Sequence, residues 1–205
     1  MEVSPVDDSE DRQDSDDSAA DIRVEPATSE RWVDVLRLAG ERGFTSGCWC
    51  MWWRVTNQQF TDQPAEDRRT ALEALVQDGA QPGLVAYVGD EPVGWVAVAP
   101  RGEYPRLDRS RKLKPVDDQP VWSIPCFYID RRHRRRGVAA RLLDAAVAHA
   151  RAQGAQMVEA YPIDVENPGS KSSAELYTGT LPLFERAGFD EVVRREGRPI
   201  VRREV

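Results

Sequence analysis

The sequence contains few cysteines and histidines and no long apolar run. Three cysteines and two histidines occur among 205 residues, and so few thiols, odd in number, argue against a disulfide-stabilised secreted fold. No stretch approaches the roughly 18 consecutive apolar residues of a membrane-spanning helix. The N-terminus also lacks the basic and then apolar pattern of a secretory signal peptide. We therefore expect a cytoplasmic protein that has no membrane partner.

The acidic charge of the chain is confined to one end. Residues 1–22 contain nine acidic residues and one arginine, a local charge of −8, whereas the formal charge of the whole chain is −7. The other 183 residues therefore carry a net charge of +1, which argues against a globally basic nucleic-acid-binding domain. The terminal segment has no aromatic and few large aliphatic residues. We expect a disordered acidic tail over 1–22 and one folded domain over 23–205.

The hydrophobic pattern beyond the tail predicts alternating strands and helices. Helices are predicted from Thr28 or Ser29 to Ala39 and over 65–77, 138–153 and 181–187, with a long loop over 101–120. Strands are predicted over 22–26, 84–88, 93–99, 121–130, 157–161, 191–196 and 199–205. This order predicts an α/β (α+β) fold in which a mixed, twisted central sheet of about seven strands carries helices on both faces.

The segment 129–143 joins a predicted strand to a predicted helix through a short basic loop. Five arginines lie between Arg131 and Arg136, and the first turn of a helix presents unpaired N–H groups and the positive end of the dipole. Gly137 lacks the Cβ that would keep a phosphate from the backbone, and Ala139 and Ala140 keep the next turn open. An anion site is therefore predicted. The alternatives are a solvated basic helix start and a nucleic-acid patch, both made less favourable by the preceding strand.

This strand, loop and helix resemble the pyrophosphate-binding motif of the GNAT (Gcn5-related) N-acetyltransferase superfamily, through the pattern Arg134-x-x-Gly137-x-Ala139 after a strand that ends in Ile129-Asp130. Arg131 stands where that family often has proline. A second segment resembles the family's aromatic-x-x-x-Gly-Phe motif, through Phe184-Glu-Arg-Ala-Gly188-Phe189. The order of strands and helices agrees from about residue 22 to residue 205, so the resemblance covers the whole predicted domain.

The resemblance implies acetyl-CoA as the donor and a GNAT-like sheet in which the central strand, here 124–130, splays from its neighbour. It implies that Phe127, Tyr128 and Ile129 line the pantetheine arm and the thioester. It also implies a pyrophosphate site made by the start of the following helix: Arg134, Arg135, Arg136, Gly137, Val138, Ala139 and Ala140. Independently, Pro125 cannot donate to a ladder, which favours a strand with one irregular or unpaired edge.

A second conspicuous run, residues 48–54, contains Trp49, Trp52 and Trp53. In the GNAT fold this connection borders the acceptor groove. The rings either pack the first helix against the sheet or form a substrate-binding wall for a cationic or ring-bearing acceptor, because an indole face attracts ammonium groups; both can hold. Cys48 and Cys50 have no second cysteine pair or histidine cluster, so we expect no metal site. A nucleophilic cysteine is an alternative to direct attack by the amine.

Acetylation of an amine requires a base for the amine and an acid for the departing thiolate. Some histone-type relatives carry a glutamate base upstream of the motif, where this sequence has Ser123. Replacement carboxylates are Glu159, which we take as the candidate catalytic base, and Glu103 or Asp164; water relays are the alternative. Many relatives have a tyrosine acid where this sequence has Phe184. Tyr177 is our candidate for that acid, with solvent as the alternative.

The expected function is an N-acetyltransferase that transfers acetyl from acetyl-CoA to the amine of a small-molecule acceptor, by direct attack in a ternary complex. Two alternatives stay open: a protein (lysine or N-terminal) N-acetyltransferase, and a catalytically weak acetyl-CoA-binding regulatory module. The expected partner is a small-molecule amine, without nucleic acid, membrane or metal. Whether the chain forms a homodimer is left open.

Overall fold

The computed structural model describes residues 22–166 and 175–205 of the chain. In this part, seven strands form one sheet in the order β1-β2-β3-β4-β5-β7-β6. β4 and β5 are parallel, and all other neighbours are antiparallel. The predicted mixed sheet of about seven strands is confirmed. The strands are β1 Ile22–Pro26, β2 Gly83–Val88, β3 Glu91–Pro100, β4 Trp122–Ile129, β5 Met157–Ala160, β6 Asp190–Arg195 and β7 Arg198–Glu204.

The described residues form six α-helices: α1 Trp32–Ala39, α2 Asn57–Asp62, α3 Ala65–Gln77, α4 Pro105–Arg109, α5 Val138–Ala152 and α6 Leu181–Arg186. Four of them match predicted helices, whereas α2 and α4 were not predicted. Thr56 and Gln59 start α2 with a capping box, and α4, inside the predicted loop, begins with a proline at a position that suits it. None of the described helices is long and apolar enough to span a bilayer.

Helices cover both faces of the sheet, as predicted. On β2, Leu84 belongs to a buried cluster with Leu142 of α5, whereas Val85 belongs to a second cluster with Leu72 of α3. Successive side chains of a strand point to opposite faces. The continuous apolar run of β2 is therefore explained by helices packed on both sides.

The folded domain begins one residue earlier than the predicted boundary. Ile22 pairs with Val88 of β2 and is 3% exposed. It therefore belongs to the core rather than to the tail assigned to 1–22. Residues 1–21, the rest of the predicted acidic tail, lie outside the described residues.

The parallel pairing of β4 with β5 ends early. The two strands pair over three residues each, 122–124 with 158–160. Pro125, the next residue of β4, has no N–H to donate, and the pairing of β4 with β3 shifts register at the same place. From there to Ile129, no described strand covers the other edge of β4. Because alternate residues of a strand direct their backbone groups to opposite sides, this edge presents N–H and C=O groups to a cleft.

A buried carboxylate lies where β4 and β5 meet. Glu159 of β5 is 0% exposed and pairs in register with Ser123 of β4. Its Oε1 accepts hydrogen bonds from Arg101 Nη1 at 2.6 Å and from the Tyr161 hydroxyl at 2.7 Å. Its Oε2 accepts one from Arg202 Nε at 2.8 Å. The two arginines also pair with aspartates of the 101–120 segment, Asp108 and Asp117. The network therefore ties that segment to the sheet.

We expect Glu159→Gln to lower the free energy of unfolding by about 3 kcal/mol, because it removes the one fully buried carboxylate that two largely buried guanidinium groups share and leaves each with only a half-exposed aspartate. Glu25→Gln is the control: Glu25 is half-buried and pairs with Arg23 at 3.5 Å and Arg31 at 3.4 Å, and its loss should cost under about 1 kcal/mol. Urea denaturation of both variants measures the difference. Equal losses would contradict a stabilising role of the buried network.

Candidate active site

A cavity of about 630 Å³ opens beside the unpaired edge of β4. It is formed by β4, the segments 44–60 and 110–113, residues 163–164 and 177–178 after β5, and the turn 196–198 between β6 and β7. The side chains that line it are mostly aromatic rings, aliphatic groups and thiols, among them Phe44, Cys48, Trp52, Cys126, Tyr128 and Tyr177.

A second cavity, of about 470 Å³, adjoins the first and leads toward the start of α5. Both cavities are lined by Tyr128 and Tyr177, and the second is also lined by Arg131 and Arg134. Burial raises the pKa of the Tyr128 hydroxyl above its ordinary value, so this side chain is neutral where the two cavities meet.

The start of α5 combines backbone N–H groups that have no partner in the helix with exposed cationic side chains, of which Arg134 also donates from Nε to the Ile129 carbonyl at 3.3 Å. Gly137 precedes the helix with a φ of 78°, in the left-handed region that glycine favours, and the first N–H groups of a helix have no partner within it. The exposed guanidinium groups of Arg134, Arg135 and Arg136 form no ion pair with a described carboxylate. The same positions therefore offer both kinds of donor to an anion.

Arg132 behaves differently from its neighbours in the basic loop. Its guanidinium pairs with Asp130 at 3.1 Å and with Glu91 at 2.8 Å. The hydrogen bond from Arg132 holds the pKa of the Asp130 carboxyl below its usual value. Arg132 therefore closes the turn that follows β4, and its free neighbours supply the charge for a ligand.

The sequence over residues 48–189 matches the model of the acetyltransferase (GNAT) family. This match spans most of the chain and includes the cleft of β4 and the start of α5. The chain belongs to the GNAT acetyltransferase family. Members of the family use acetyl-CoA, and this GNAT protein is accordingly an acyltransferase that transfers acetyl groups from acetyl-CoA.

Solved GNAT structures share the fold at low sequence identity. A GNAT-family acetyltransferase from Listeria monocytogenes 4b F2365 is 8% identical, with coverage of 90% of this chain and 95% of that chain and a TM-score of 0.54. The PaiA N-acetyltransferase from Thermoplasma acidophilum, in complex with coenzyme A, is 11% identical, with coverage of 90% and 99% and a TM-score of 0.50. An N-acetyltransferase from Staphylococcus aureus Mu50 is 15% identical, with coverage of 89% and 98% and a TM-score of 0.50. No curated protein matches the chain.

The residues that the resemblance assigned to the donor lie along one path from β4 to α5. Phe127 and Tyr128 line the large cavity, and Ile129 is half-buried at the end of β4. Gly137 and Ala140 are exposed at the start of α5, whereas Val138 is buried and Ala139 half-buried. The side chain of Val138 therefore belongs to the core, and only its backbone can serve an anion.

The three tryptophans of the 48–54 run have different environments. Trp49 is 4% exposed and packs between Trp32 and Phe44, so it is a core residue and the expectation that it contacts the acceptor is corrected. Trp52 and Trp53 do line the cavity. The guanidinium of Arg106 lies 3.8 Å from the ring centroid of Trp52, so the chain itself supplies a cation to that indole.

The structure also distinguishes the three carboxylates considered as the base. Glu159 is buried in the network with Arg101 and Arg202 and does not line the cavity, so its assignment as the base is corrected: both its oxygens are engaged away from the acceptor. Glu103 pairs with Arg54 at 2.9 Å and does not line the cavity either. Asp164 does line it.

Tyr177 lies in a short 3-10 helix, Glu175–Thr178, which packs against β4. Its side chain lines both cavities. Phe184, which occupies the position of the tyrosine acid in many relatives, is fully buried against Phe127 and Phe189. Tyr177 therefore places a hydroxyl near the β4 edge, and Phe184 contributes to the core.

Sequence reasoning did not assign the residues that support the aromatic wall. Arg68 of α3 is buried, stacks on Phe60 at 4.3 Å and donates hydrogen bonds to the carbonyls of Gly47 and Phe60, each at 2.7 Å. Arg106 holds Trp52 in a similar way. Arg68 lies on α3, which was predicted, and Arg106 lies on α4, which was not. No local sequence pattern marks either arginine as buried.

We expect Gly137→Glu to weaken acetyl-CoA binding about 100-fold, because it places bulk and negative charge where phosphates approach the backbone. Gly154→Glu is the matched control: Gly154 follows the other end of α5, with a φ of 89° and open space where a Cβ would lie. Isothermal titration calorimetry on both folded variants gives the dissociation constants. Unchanged affinity in Gly137→Glu would remove this helix start from the donor site.

Proposed function

We propose that this GNAT protein acetylates the amine of a small acceptor with an apolar or ring-bearing body, by direct attack in a ternary complex. The observation that carries the proposal is the cavity beside the unpaired edge of β4. Its volume of about 630 Å³ lies within the range of about 300–1,000 Å³ of small-molecule sites. It adjoins the basic cavity near α5, so donor and acceptor can be bound side by side.

The residues along β4 and α5 fit the donor. Acetyl-CoA supplies an acetyl group activated as a thioester. The uncovered backbone groups of 127–129 are suited to the amides of a pantetheine arm, and fixed N–H groups beside a thioester carbonyl stabilise the negative charge that develops on its oxygen. The backbone of 137–140, with Arg134, Arg135 and Arg136, is suited to the pyrophosphate.

The charges of the large cavity support an acceptor with few charges of its own. Its carboxylates already have basic partners: Asp164 pairs with Arg194 at 2.5 Å, and Glu196 pairs with Arg111 at 3.3 Å. The face of Trp52 is covered by Arg106. A polycation would therefore compete with arginines of the chain for these carboxylates and for the face of Trp52. The apolar body of an acceptor can instead contact the aromatic rings and thiols of the cavity.

We assign the two proton transfers to different groups. The attacking amine must lose a proton, and Asp164 is the carboxylate placed to orient it while water removes that proton. The departing thiolate must gain a proton, and the Tyr177 hydroxyl, which lines both cavities, is our candidate donor. Since an ordinary thiol has a pKa of about 8.5, the help required near neutral pH is modest.

A panel of amines tests the proposed acceptor class. Release of free CoA thiol is measured with 2-phenylethylamine, with spermidine and with lysine-containing and free-N-terminal peptides, each against Gly137→Glu as the donor-site control. We expect the highest kcat/KM for the apolar monoamine, by about tenfold or more, because burial of a ring adds roughly 1.5–3 kcal/mol of binding.

Each other outcome of the panel identifies an alternative. Preference for peptides would favour a protein N-acetyltransferase. Tight donor binding without release above hydrolysis for any amine would favour a regulatory acetyl-CoA-binding module. Preference for spermidine would contradict the argument from paired charges.

We expect Tyr177→Phe to lower kcat by roughly 10- to 100-fold, the lower end of general-acid contributions, with acetyl-CoA affinity retained. Tyr87→Phe is the control. It removes a hydroxyl that donates a hydrogen bond to Asp34 at 2.9 Å, and Tyr87 does not line the cavity. Steady-state kinetics and calorimetry on both variants separate the effects. Full kcat in Tyr177→Phe would leave water as the acid.

A further inference from the structure

The three cysteines of the chain converge on the acceptor cavity. Cys48 and Cys50 lie in the segment after α1, and Cys126 lies on β4, yet all three line the cavity. They also belong to one apolar cluster, in which Cys50 is buried and the other two are half-buried. The Cys50 thiol interacts with both the Cys48 and the Cys126 sulfur. A chain with only three thiols therefore brings them together at one wall of its functional cavity.

The surroundings of Cys48 stabilise a thiolate. The hydrogen bond from the Cys50 thiol, backbone groups of Thr45 and Cys50, and the charge of Arg68 outweigh burial and lower the pKa of Cys48 to about 6. The contacts with Cys126 and Cys48, together with burial, raise the pKa of Cys50. At neutral pH the pair therefore combines a thiolate that faces the cavity with a buried thiol beside it.

Titratable or charged groups act on the two thiols from three packed elements. They are Arg68 from α3, Cys126 from β4 and Tyr104 from the segment before α4. Burial raises the pKa of Tyr104, so its phenol is neutral. Arg68 is then the permanent charge among them, and its sign favours the thiolate.

The backbone that carries the pair is strained. Phe44, Ser46, Trp49 and Cys50 all have a positive φ, between 45° and 59°, which is uncommon for residues other than glycine. Such conformations cost free energy and persist where the surroundings impose them, often at functional sites. Here Arg68 imposes the conformation through its bond to the Gly47 carbonyl. The strained segment brings both thiols to the cavity wall, where Cys48 is half-buried and Cys50 is buried.

We propose that Cys48 and Cys50 are a peroxide-reactive thiol pair, a modification site in which Cys48 is oxidised and Cys50 resolves it to a disulfide. Low-pKa thiols that are accessible and adjacent to a second thiol are the ones that react in this way. Formation of the disulfide does not require acetyl transfer, whereas its expected effect on turnover rests on the proposed function.

The oxidant is a peroxide, and the steps balance. The Cys48 thiolate attacks one peroxide oxygen, the O–O bond breaks, and a sulfenic acid forms as hydroxide leaves. The Cys50 sulfur then attacks the Cys48 sulfur, its proton goes to the departing hydroxyl, and water leaves as the S–S bond forms. Two thiols lose two electrons in total, and one peroxide is reduced to two waters.

The disulfide is detected by mass spectrometry on the full-length protein. The protein is treated with equimolar hydrogen peroxide, alkylated and digested with trypsin, which releases residues 43–54 as one peptide with both cysteines. We expect this peptide to escape alkylation and to be about 2 Da lighter than its reduced, unalkylated form, the mass of the two hydrogens lost in a disulfide, while Cys126 is recovered alkylated. Oxidation of Met51 in the same peptide adds mass and is therefore distinguishable.

Three serine variants separate the roles. Cys50→Ser should accumulate a Cys48 sulfenic acid that dimedone traps, Cys48→Ser should abolish the rapid reaction, and Cys126→Ser should retain the 43–54 disulfide. If Cys50→Ser fails to fold, dimedone trapping in the native protein at short times after peroxide addition repeats the test. A disulfide between Cys50 and Cys126, or equal reactivity of all three thiols, would overturn the proposal.

The pH dependence of alkylation provides a second measurement. The rate of iodoacetamide reaction at Cys48 should rise through pH 6 and level off near pH 7, because the pKa of Cys48 is lowered to about 6. At pH 6 we expect a rate about tenfold above that of glutathione, since the larger thiolate fraction outweighs the lower nucleophilicity of a low-pKa sulfur. A rate that still rises through pH 8.5 would contradict a stabilised thiolate.

A functional measurement distinguishes this proposal from the proposed function. We expect the oxidised protein to bind acetyl-CoA as the reduced protein does, and to lose at least tenfold in kcat/KM for the apolar amine, recovered with dithiothreitol. If no amine is a substrate, the proposed function fails while the disulfide result stands by itself. If the disulfide forms and turnover of the amine is unchanged, the pair does not control the acceptor cavity, and that part of the proposal is wrong.

Discussion

The early end of the pairing between β4 and β5 is the constraint on which the site depends. Two parallel strands that stayed paired would satisfy each other's backbone groups and leave no room between them. Pairing over only three residues, followed by Pro125, leaves the rest of β4 with one uncovered edge. Backbone groups need partners, and a cleft that presents them to solvent presents them equally to a ligand. Both cavities lie against this edge and meet at Tyr128 and Tyr177.

The buried Glu159 network stabilises the place where β4 and β5 begin to separate. Glu159 lies in register with Ser123, one pair before the last pair of the two strands, Ile124 with Ala160. Its two arginines extend to the segment 101–120, whose residues form part of the cavity wall. Loss of either member of a buried ion pair leaves the other charge uncompensated and strongly destabilises the fold. The network therefore holds β4 and β5 together up to the place where they part. The carboxylate that the sequence offers as a candidate base is thus a structural anchor.

The aromatic wall of the large cavity, which includes Trp52 and Phe60, is a second region in which polar groups support apolar ones. Arg68 and Arg106 are used for carbonyls and aromatic rings within the chain, and they hold Trp52 and the strained segment before it in place. The consequence for chemistry is twofold. The face of Trp52 already contacts the Arg106 cation, so it attracts a cationic acceptor less strongly. The Cys48 thiol lies near the permanent positive charge of Arg68. The proposed substrate preference and the proposed thiol reactivity therefore depend on the same two arginines.

The sequence by itself determined the fold class and the order of the strands and of the four predicted helices, and it predicted an anion site at the start of α5. These are local or periodic signals: alternating apolar residues on the strands, helical spacing in α3 and α5, and a glycine after a basic loop. The positions of Trp49, Glu159 and the three cysteines in the fold were decided only by the tertiary structure. Each depends on contacts between distant segments, such as Glu159 with Arg101 and Arg202, or Cys50 with Cys126. A tryptophan, a carboxylate or a thiol has the same local pattern whether it is buried in a core or faces a cavity, and burial is set by long-range packing.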